Sequence, residues 1–323
     1  MTPGETILVL AEPADEPQIQ LLRERLKGTA MMVGSSFTAL RDVLPDATVL
    51  YNCAGSLTLF REVLRNSPRL RWVHSRSVGL ERTWFPELAQ SSVVLTNGSG
   101  VFSAALGEFT VGAILYFAKD FRRMVSNQAQ GKWEQFDVER VDGKTVGIVG
   151  YGDIGRAIAS RARALGMRVL GLKRHATQQT ADFAERIFAV AQLLEMVALS
   201  DYVAVAAPLT AETRGMIDRH VLGAMKPTSV IINVGRGPVI DETALVQVLT
   251  EKRIRGAALD VFDEEPLSKE HPFYHMENVL LSPHCADHTS DWLDNAALFF
   301  VEQFERYKRG ETLLNLVDKA LGY

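Results

Sequence analysis

Three things are scarce in this sequence, and each scarcity excludes a class of protein. Cysteine is the first: Cys53 and Cys285 are the only two and lie far apart. That rules out a disulfide framework, gives no metal-ligand spacing, and suits a reducing, cytoplasmic setting. Long hydrophobic runs are the second. The longest apolar stretch, FTVGAILYFA from Phe109 to Ala118, is about half of the ~20 residues that span a bilayer, so no membrane partner is expected. MTPGETILVLAEPADEP carries no basic flank before its short apolar run, and a secretory leader is not expected either. Charge of one sign is the third. A net charge of −4, with no long block of like charge, provides no field that would draw the chain to nucleic acid. A small dissolved ligand fits better.

What the sequence does have is apolar bulk in a regular order. Its 323 residues, 47% of them hydrophobic, suffice for two domains with a core each. The first third alternates short apolar runs with amphipathic segments: ETILVLAE then IQLLRERL, ATVLYNCA then LTLFREVL, LRWVHSRSVG, and SVVLTNG. This predicts four strands of a parallel sheet covered by helices. NGSG at 97–100 breaks the pattern before a long apolar helix predicted from Phe102 to Arg123. A second series follows in TVGIVG, MRVLGL, DYVAVAA, SVIINVG, GAALDVF and NVLLSP, the six strands of a doubly wound dinucleotide fold. A last amphipathic helix is expected in DWLDNAALFFVEQFERYKRG, able to cover either domain.

The second series opens on TVGIVGYGDIGRAIA, in which Gly150, Gly152 and Gly155 form G-x-G-x-x-G between a strand and a helix. Gly150 suits the tight turn, Gly152 lets a pyrophosphate approach the backbone, and Gly155 lets helix and strand pack closely. The following strand ends in Leu172, Lys173, Arg174 and His175, where an NAD site would place an acid. A carboxylate repels a 2′-phosphate, whereas Lys173 and Arg174 attract one, so NADP is the expected cofactor, with NAD possible.

Three later segments fall at strand ends, where open parallel sheets gather their ligands. They are INVGRGPVIDETAL with Arg236, ALDVFDEEPL with Glu265, and LSPHCADHT with His284. Singly, Arg236 could be a turn cation, Glu265 part of an acidic run, and His284 one of seven histidines. Together with SVGLE at 77–81, GEFTVGAILYFAK, GKTVGIVGYGDIG and AAPLTAETRGMID, they stand in the order found in the D-isomer-specific 2-hydroxyacid dehydrogenase family, which the chain resembles over most of its length.

The resemblance implies an α/β architecture of two doubly wound parallel-sheet domains: a Rossmann nucleotide-binding domain over 101–287 and a discontinuous, flavodoxin-like substrate domain over 1–100 and 288–323. It implies a homodimer and NAD(P)H-dependent reduction of a small 2-keto acid to the D-2-hydroxy acid. Arg236 would hold the carboxylate and polarise the carbonyl, His284 would donate the proton, and Glu265 would orient His284. Backbone groups at Val78 and Gly79 would receive the substrate carboxylate. Gly150, Gly152, Asp153, Ile154, Gly155, Lys173, Arg174, Ala207, Pro208, Thr213, Val234 and Asp260 would line the cofactor, Asp260 near the nicotinamide carboxamide; Thr213 and Pro208 could equally serve the turn they sit in. No metal is expected. Glyoxylate and hydroxypyruvate are the leading substrates and a bulkier 2-keto acid is the alternative, with residues 51–55, 75–78 and Trp292 as pocket walls. A formate dehydrogenase would carry glutamine in place of Glu265, and a phosphite dehydrogenase a lysine in place of Val78. A nucleotide-sensing corepressor on the same fold is the rival of a different class.

Overall fold

The computed structural model describes residues 4–11, 16–81, 83–174 and 182–319. The chain forms two compact units, Met1–Val101 with Ser290–Tyr323, and Phe102–Thr289.

The first unit is built on five parallel strands, β1 (Thr6–Leu10), β2 (Ala30–Gly34), β3 (Val49–Asn52), β4 (Trp72–Ser75) and β5 (Val94–Thr96), in the order β2-β1-β3-β4-β5. This is the flavodoxin-like 2-1-3-4-5 order. Strands β3 and β4 are buried at every position, as sheets covered on both faces require. Side chains alternate between the faces: Leu8, Leu10, Leu50 and Val73 join one core, while Ile7, Val9, Tyr51 and Trp72 join another with Phe300 and Phe304. Tyr51 stacks on Phe300 with ring centroids 4.4 Å apart. The closing helix Trp292–Lys308 therefore covers this sheet. Four strands are predicted here and five are present; the extra one, AMMVG, is an edge strand with alternating exposure.

The second unit carries seven parallel strands, β6 (Thr145–Val149), β7 (Arg168–Lys173), β8 (Arg186–Ala189), β9 (Tyr202–Val205), β10 (Val230–Asn233), β11 (Gly256–Leu259) and β12 (Val279–Leu281). Their order, β12-β11-β10-β9-β6-β7-β8, is the Rossmann arrangement with a seventh strand added, and it reverses direction between β6 and β9. Six strands are predicted. The additional β8, RIFA, is again a partly exposed edge strand, too short and too polar to stand out as an apolar run.

One predicted helix is two. Ser103–Ala118 ends before Asp120, which takes a left-handed φ of 51° and caps the next helix, Phe121–Ala129, by accepting from the Arg123 amide. Aspartate tolerates that conformation and satisfies an orphan amide there, so the break replaces the continuous helix read from apolar periodicity. The Ser103–Ala118 helix lies against Asp153–Ala164: a Cβ on Gly107 would sit 3.0 Å from the Ala157 carbonyl oxygen. Among the described residues no helix is long and apolar enough to cross a membrane.

Candidate active site

The glycine-rich turn leaves β6 at the point where strand order reverses. Gly150 has a φ of 94°, and a Cβ on it would lie 2.6 Å from the Ala207 amide nitrogen at the end of neighbouring β9. A Cβ on Gly155 would collide with the Gly150 carbonyl oxygen, whereas a Cβ on Gly152 would meet nothing within 4 Å. The first and third glycines are thus needed for packing, and the second faces open space beside the amides that start the Asp153–Ala164 helix. That is a cradle which fits a pyrophosphate.

Around this turn, Asp153 pairs with Arg156 and Ile154 is half-buried. Ala207 and Val234 are buried, and Pro208 is exposed. Thr213 stabilises its own turn: its hydroxyl donates to the Pro208 carbonyl at 2.6 Å and accepts from the Thr210 amide at 2.8 Å. The Tyr151 ring occupies the space that a Cβ on Gly171 of β7 would need, and its hydroxyl donates to the Asp182 carbonyl. Burial, helped by the Asp182 charge, pushes that phenol up to about 12.

The two cations after Leu172 have partners of their own. Lys173 Nζ lies 5.8 Å from the centre of the Tyr151 ring, and Arg174 Nη2 is 2.8 Å from Glu212 Oε2. Glu212, 66% exposed, is the residue that the sequence reading missed; the acid in TAETRG was its only signal. His175 lies outside the described residues.

Arg236, Glu265 and His284 follow β10, β11 and β12, which are consecutive neighbours in one parallel sheet. Their segments therefore emerge along one edge. Glu265 Oε2 is 2.7 Å from His284 Nδ1, and Glu265 Oε1 accepts from the Phe262 amide at 3.0 Å. His284 has a left-handed φ of 52°, a conformation that its surroundings must impose. Buried Asp260 imposes it: the Asp260 carbonyl accepts from the His284 amide at 2.8 Å, and Oδ1 accepts from Ser282 Oγ and from the amides of Cys285 and Ala286 at 2.5–3.0 Å. The imidazole stays 44% exposed. His74, by contrast, is wholly buried on β4, where burial lowers its pKa to about 3 and leaves it no role as an acid.

Arg236 has extended backbone, and its Nη1 donates to the Gly235 carbonyl at 2.7 Å. The Asn233 side chain closes the turn by donating to the Arg236 carbonyl at 3.0 Å and accepting from the Gly235 amide at 3.1 Å. A Cβ on Gly237 would collide with the peptide joining Phe262 to Asp263, so the Arg236 and Glu265 segments touch directly. In the first unit, the loop after β4 carries Val78 and Gly79. Asn97 Nδ2 donates to the Val78 carbonyl at 3.0 Å, and the Gly98 amide donates to the Ser77 carbonyl at 3.4 Å. Beside that loop Arg76 bonds Glu16 and the Cys53 carbonyl, and its guanidinium carbon lies 5.4 Å from the centre of the Trp292 ring.

A Rossmann unit with an open glycine cradle, and with a carboxylate-paired imidazole on the same sheet, has the parts that a dinucleotide-linked oxidoreductase needs. Residues 111–286, more than half of the chain, match the NAD binding domain of the D-isomer specific 2-hydroxyacid dehydrogenases, and the chain belongs to that family. It is 35% identical to the glyoxylate reductase of Thermococcus gammatolerans over 80% of each protein. It is 29% identical to the D-3-phosphoglycerate dehydrogenase of Methanocaldococcus jannaschii over 96% of this chain but only 59% of that protein's length. Among solved structures, a D-isomer specific 2-hydroxyacid dehydrogenase from Xanthobacter autotrophicus, crystallised with NADPH and MES, superposes with a TM-score of 0.84 at 25% identity, covering 99% of this chain and all of that one.

Proposed function

We propose that the protein reduces a small 2-keto acid of the glyoxylate or hydroxypyruvate kind to its D-2-hydroxy acid, with NADPH as the preferred reductant. The carrying observation is the Glu265–His284 pair at 2.7 Å, on the edge that also bears Arg236 and the glycine cradle. The bound nicotinamide would supply the hydride. His284 holds Nδ1–H toward Glu265, which leaves Nε2 to pass a proton to the carbonyl oxygen as negative charge develops there. Arg236 presents a planar fork matched to a carboxylate and a neighbouring keto oxygen. The Ser77 and Val78 carbonyls are tied back to residues 97–98, and the amides of Val78 and Gly79 are the groups assigned to the substrate carboxylate. On this reading Met1–Val101 with Ser290–Tyr323 is the substrate domain, Phe102–Thr289 the nucleotide domain, and the working form a cytoplasmic homodimer.

Support for NADPH comes from Lys173 and Arg174, and from the Xanthobacter relative crystallised with NADPH. The Arg174–Glu212 pair favours a second reading, a site that also takes NADH, because Arg174 is satisfied without a 2′-phosphate. An exposed ion pair is worth only about 0–1 kcal/mol, so a phosphate displaces the carboxylate readily. The test is the initial rate of reduced-nicotinamide oxidation with glyoxylate, hydroxypyruvate, pyruvate and phenylpyruvate, each with NADPH and with NADH. Turnover favouring NADPH supports the reading. Equal or better use of NADH removes the 2′-phosphate argument, and no turnover with any acid points to the nucleotide-sensing alternative.

A further inference from the structure

Glu265 can orient His284 only if the turn that carries it is itself fixed, and two residues outside the expected site are arranged to fix it. Glu242 opens the helix Glu242–Thr250. An acid in a first turn is commonly explained by the helix dipole, but this carboxylate reaches outward to two other partners. Oε2 accepts from the Asp263 amide at 3.1 Å, and Oε1 lies 3.3 Å from His271 Nε2. Asp263 begins the stretch that ends at Glu265, and its own amide neighbour, Phe262, donates to Glu265 Oε1 at 3.0 Å.

His271 is anchored from its other side. Its Nδ1 accepts from the Phe273 amide at 3.3 Å, and its ring lies 4.5 Å from that of buried Phe273. An Nδ1 that accepts leaves the ring proton on Nε2, the atom that lies 3.3 Å from Glu242 Oε1. Side chains of Glu242 and His271 are 20% and 18% exposed, so water competes weakly for these bonds. The other charged groups around the turn are Asp241, Asp263 and Arg214; burial, with the Glu242 and Asp241 charges, raises the Asp263 carboxyl above its usual range.

We infer that Glu242, held by His271, is a positioning residue for the proposed reaction: it clamps the Asp263–Glu265 turn so that the Glu265 carboxylate stays on His284 Nδ1. The inference rests on the reading of Glu265 and His284 given above, and its first readout needs no turnover. In full-length protein labelled with 15N-histidine, long-range 1H–15N correlations report which ring nitrogen of His284 carries the proton in the neutral state. Around His284 the acids that bear on this are Glu265, Asp260 and Asp287.

The wild-type ring is expected in the Nδ1–H form, and Glu265→Ala is expected to shift it to Nε2–H. Glu242→Ala should move it part of the way, His271→Ala by less, and Glu242→Ala should add nothing in a Glu265→Ala background. Glu242→Gln, which keeps an acceptor for the Asp263 amide, guards against a variant that fails to fold and should stay near wild type. With a keto acid that is turned over, kcat of Glu242→Ala should fall by about tenfold, the order expected when a reacting group is displaced by a fraction of an ångström, with KM little changed. A His284 tautomer unmoved by Glu242→Ala, or a further loss in the Glu265→Ala background, overturns the inference. A protein that reduces no keto acid yet shows these tautomer shifts overturns the proposed function instead.

Discussion

The two ends of the nucleotide unit's sheet are prepared to different degrees. On the β10–β12 side the groups are already set: His284 is bonded to Glu265 at 2.7 Å, its left-handed backbone is held by four acceptor contacts of Asp260, and Gly237 brings the Arg236 segment into contact with the Phe262–Asp263 peptide. On the β7 side the charged groups are occupied but exchangeable, with Lys173 over Tyr151 and Arg174 on an exposed Glu212. The difference follows from chemistry. A proton donor must be oriented before the reaction, because misalignment enters the barrier directly, whereas cations that choose between two cofactors need only a partner weaker than phosphate.

Changes on the fixed side should therefore cost most. On the proposed reading Arg236→Ala would remove the cation from the keto oxygen, and kcat/KM for the keto acid should fall by roughly 10²–10³, as for the loss of other groups that stabilise a developing oxyanion; a loss under fivefold would take Arg236 out of the site. Glu265→Gln should lower kcat by about 10–100-fold, because a neutral amide holds the Nδ1–H of His284 less firmly than the carboxylate now 2.7 Å away. A kcat left in place would separate Glu265 from His284.

On the exchangeable side the effects should be smaller and confined to one cofactor. Replacing Lys173 and Arg174 together by alanine should raise KM for NADPH by about tenfold or more, the value of one or two charge-assisted contacts, and leave NADH kinetics unchanged. Equal loss with both cofactors would mean that these residues shape the turn instead. Glu212→Gln should be the mildest change, freeing Arg174 and tightening NADPH by a few-fold at most, since an exposed pair contributes about 0–1 kcal/mol. Weaker NADPH binding in that variant would show that Glu212 holds Arg174 in place for the phosphate.

The same contrast explains what could be read from the sequence. The glycine triplet was legible by its spacing; in the structure Gly150 and Gly155 stand where a Cβ would collide, whereas a Cβ on Gly152 would meet nothing within 4 Å. Strands buried on both faces, such as VIIN and GAAL, were legible as apolar runs. Edge strands AMMVG and RIFA were not, because partial exposure dilutes that signal. The helix break at Asp120 was hidden by apolar residues on either side of it. Residues that act through others were harder still. The seven histidines look alike in a sequence, and only the structure separates His284 beside its carboxylate, His74 buried against Thr96, and His271 on Glu242. Glu212 and Glu242 reach their partners across 38 and 21 positions, a distance at which no local pattern connects them.

In the proposed reaction His284 donates the proton in a nicotinamide-linked reduction of a 2-keto acid. The most direct test compares hydroxypyruvate-dependent oxidation of NADPH at neutral pH by the wild type and by His284→Gln, with NADPH binding to each followed by fluorescence. That role predicts turnover by the wild type, a fall of at least about 10²-fold in the variant, and equal binding of NADPH to both. Equal rates in the two proteins, or no turnover by the wild type, would contradict it.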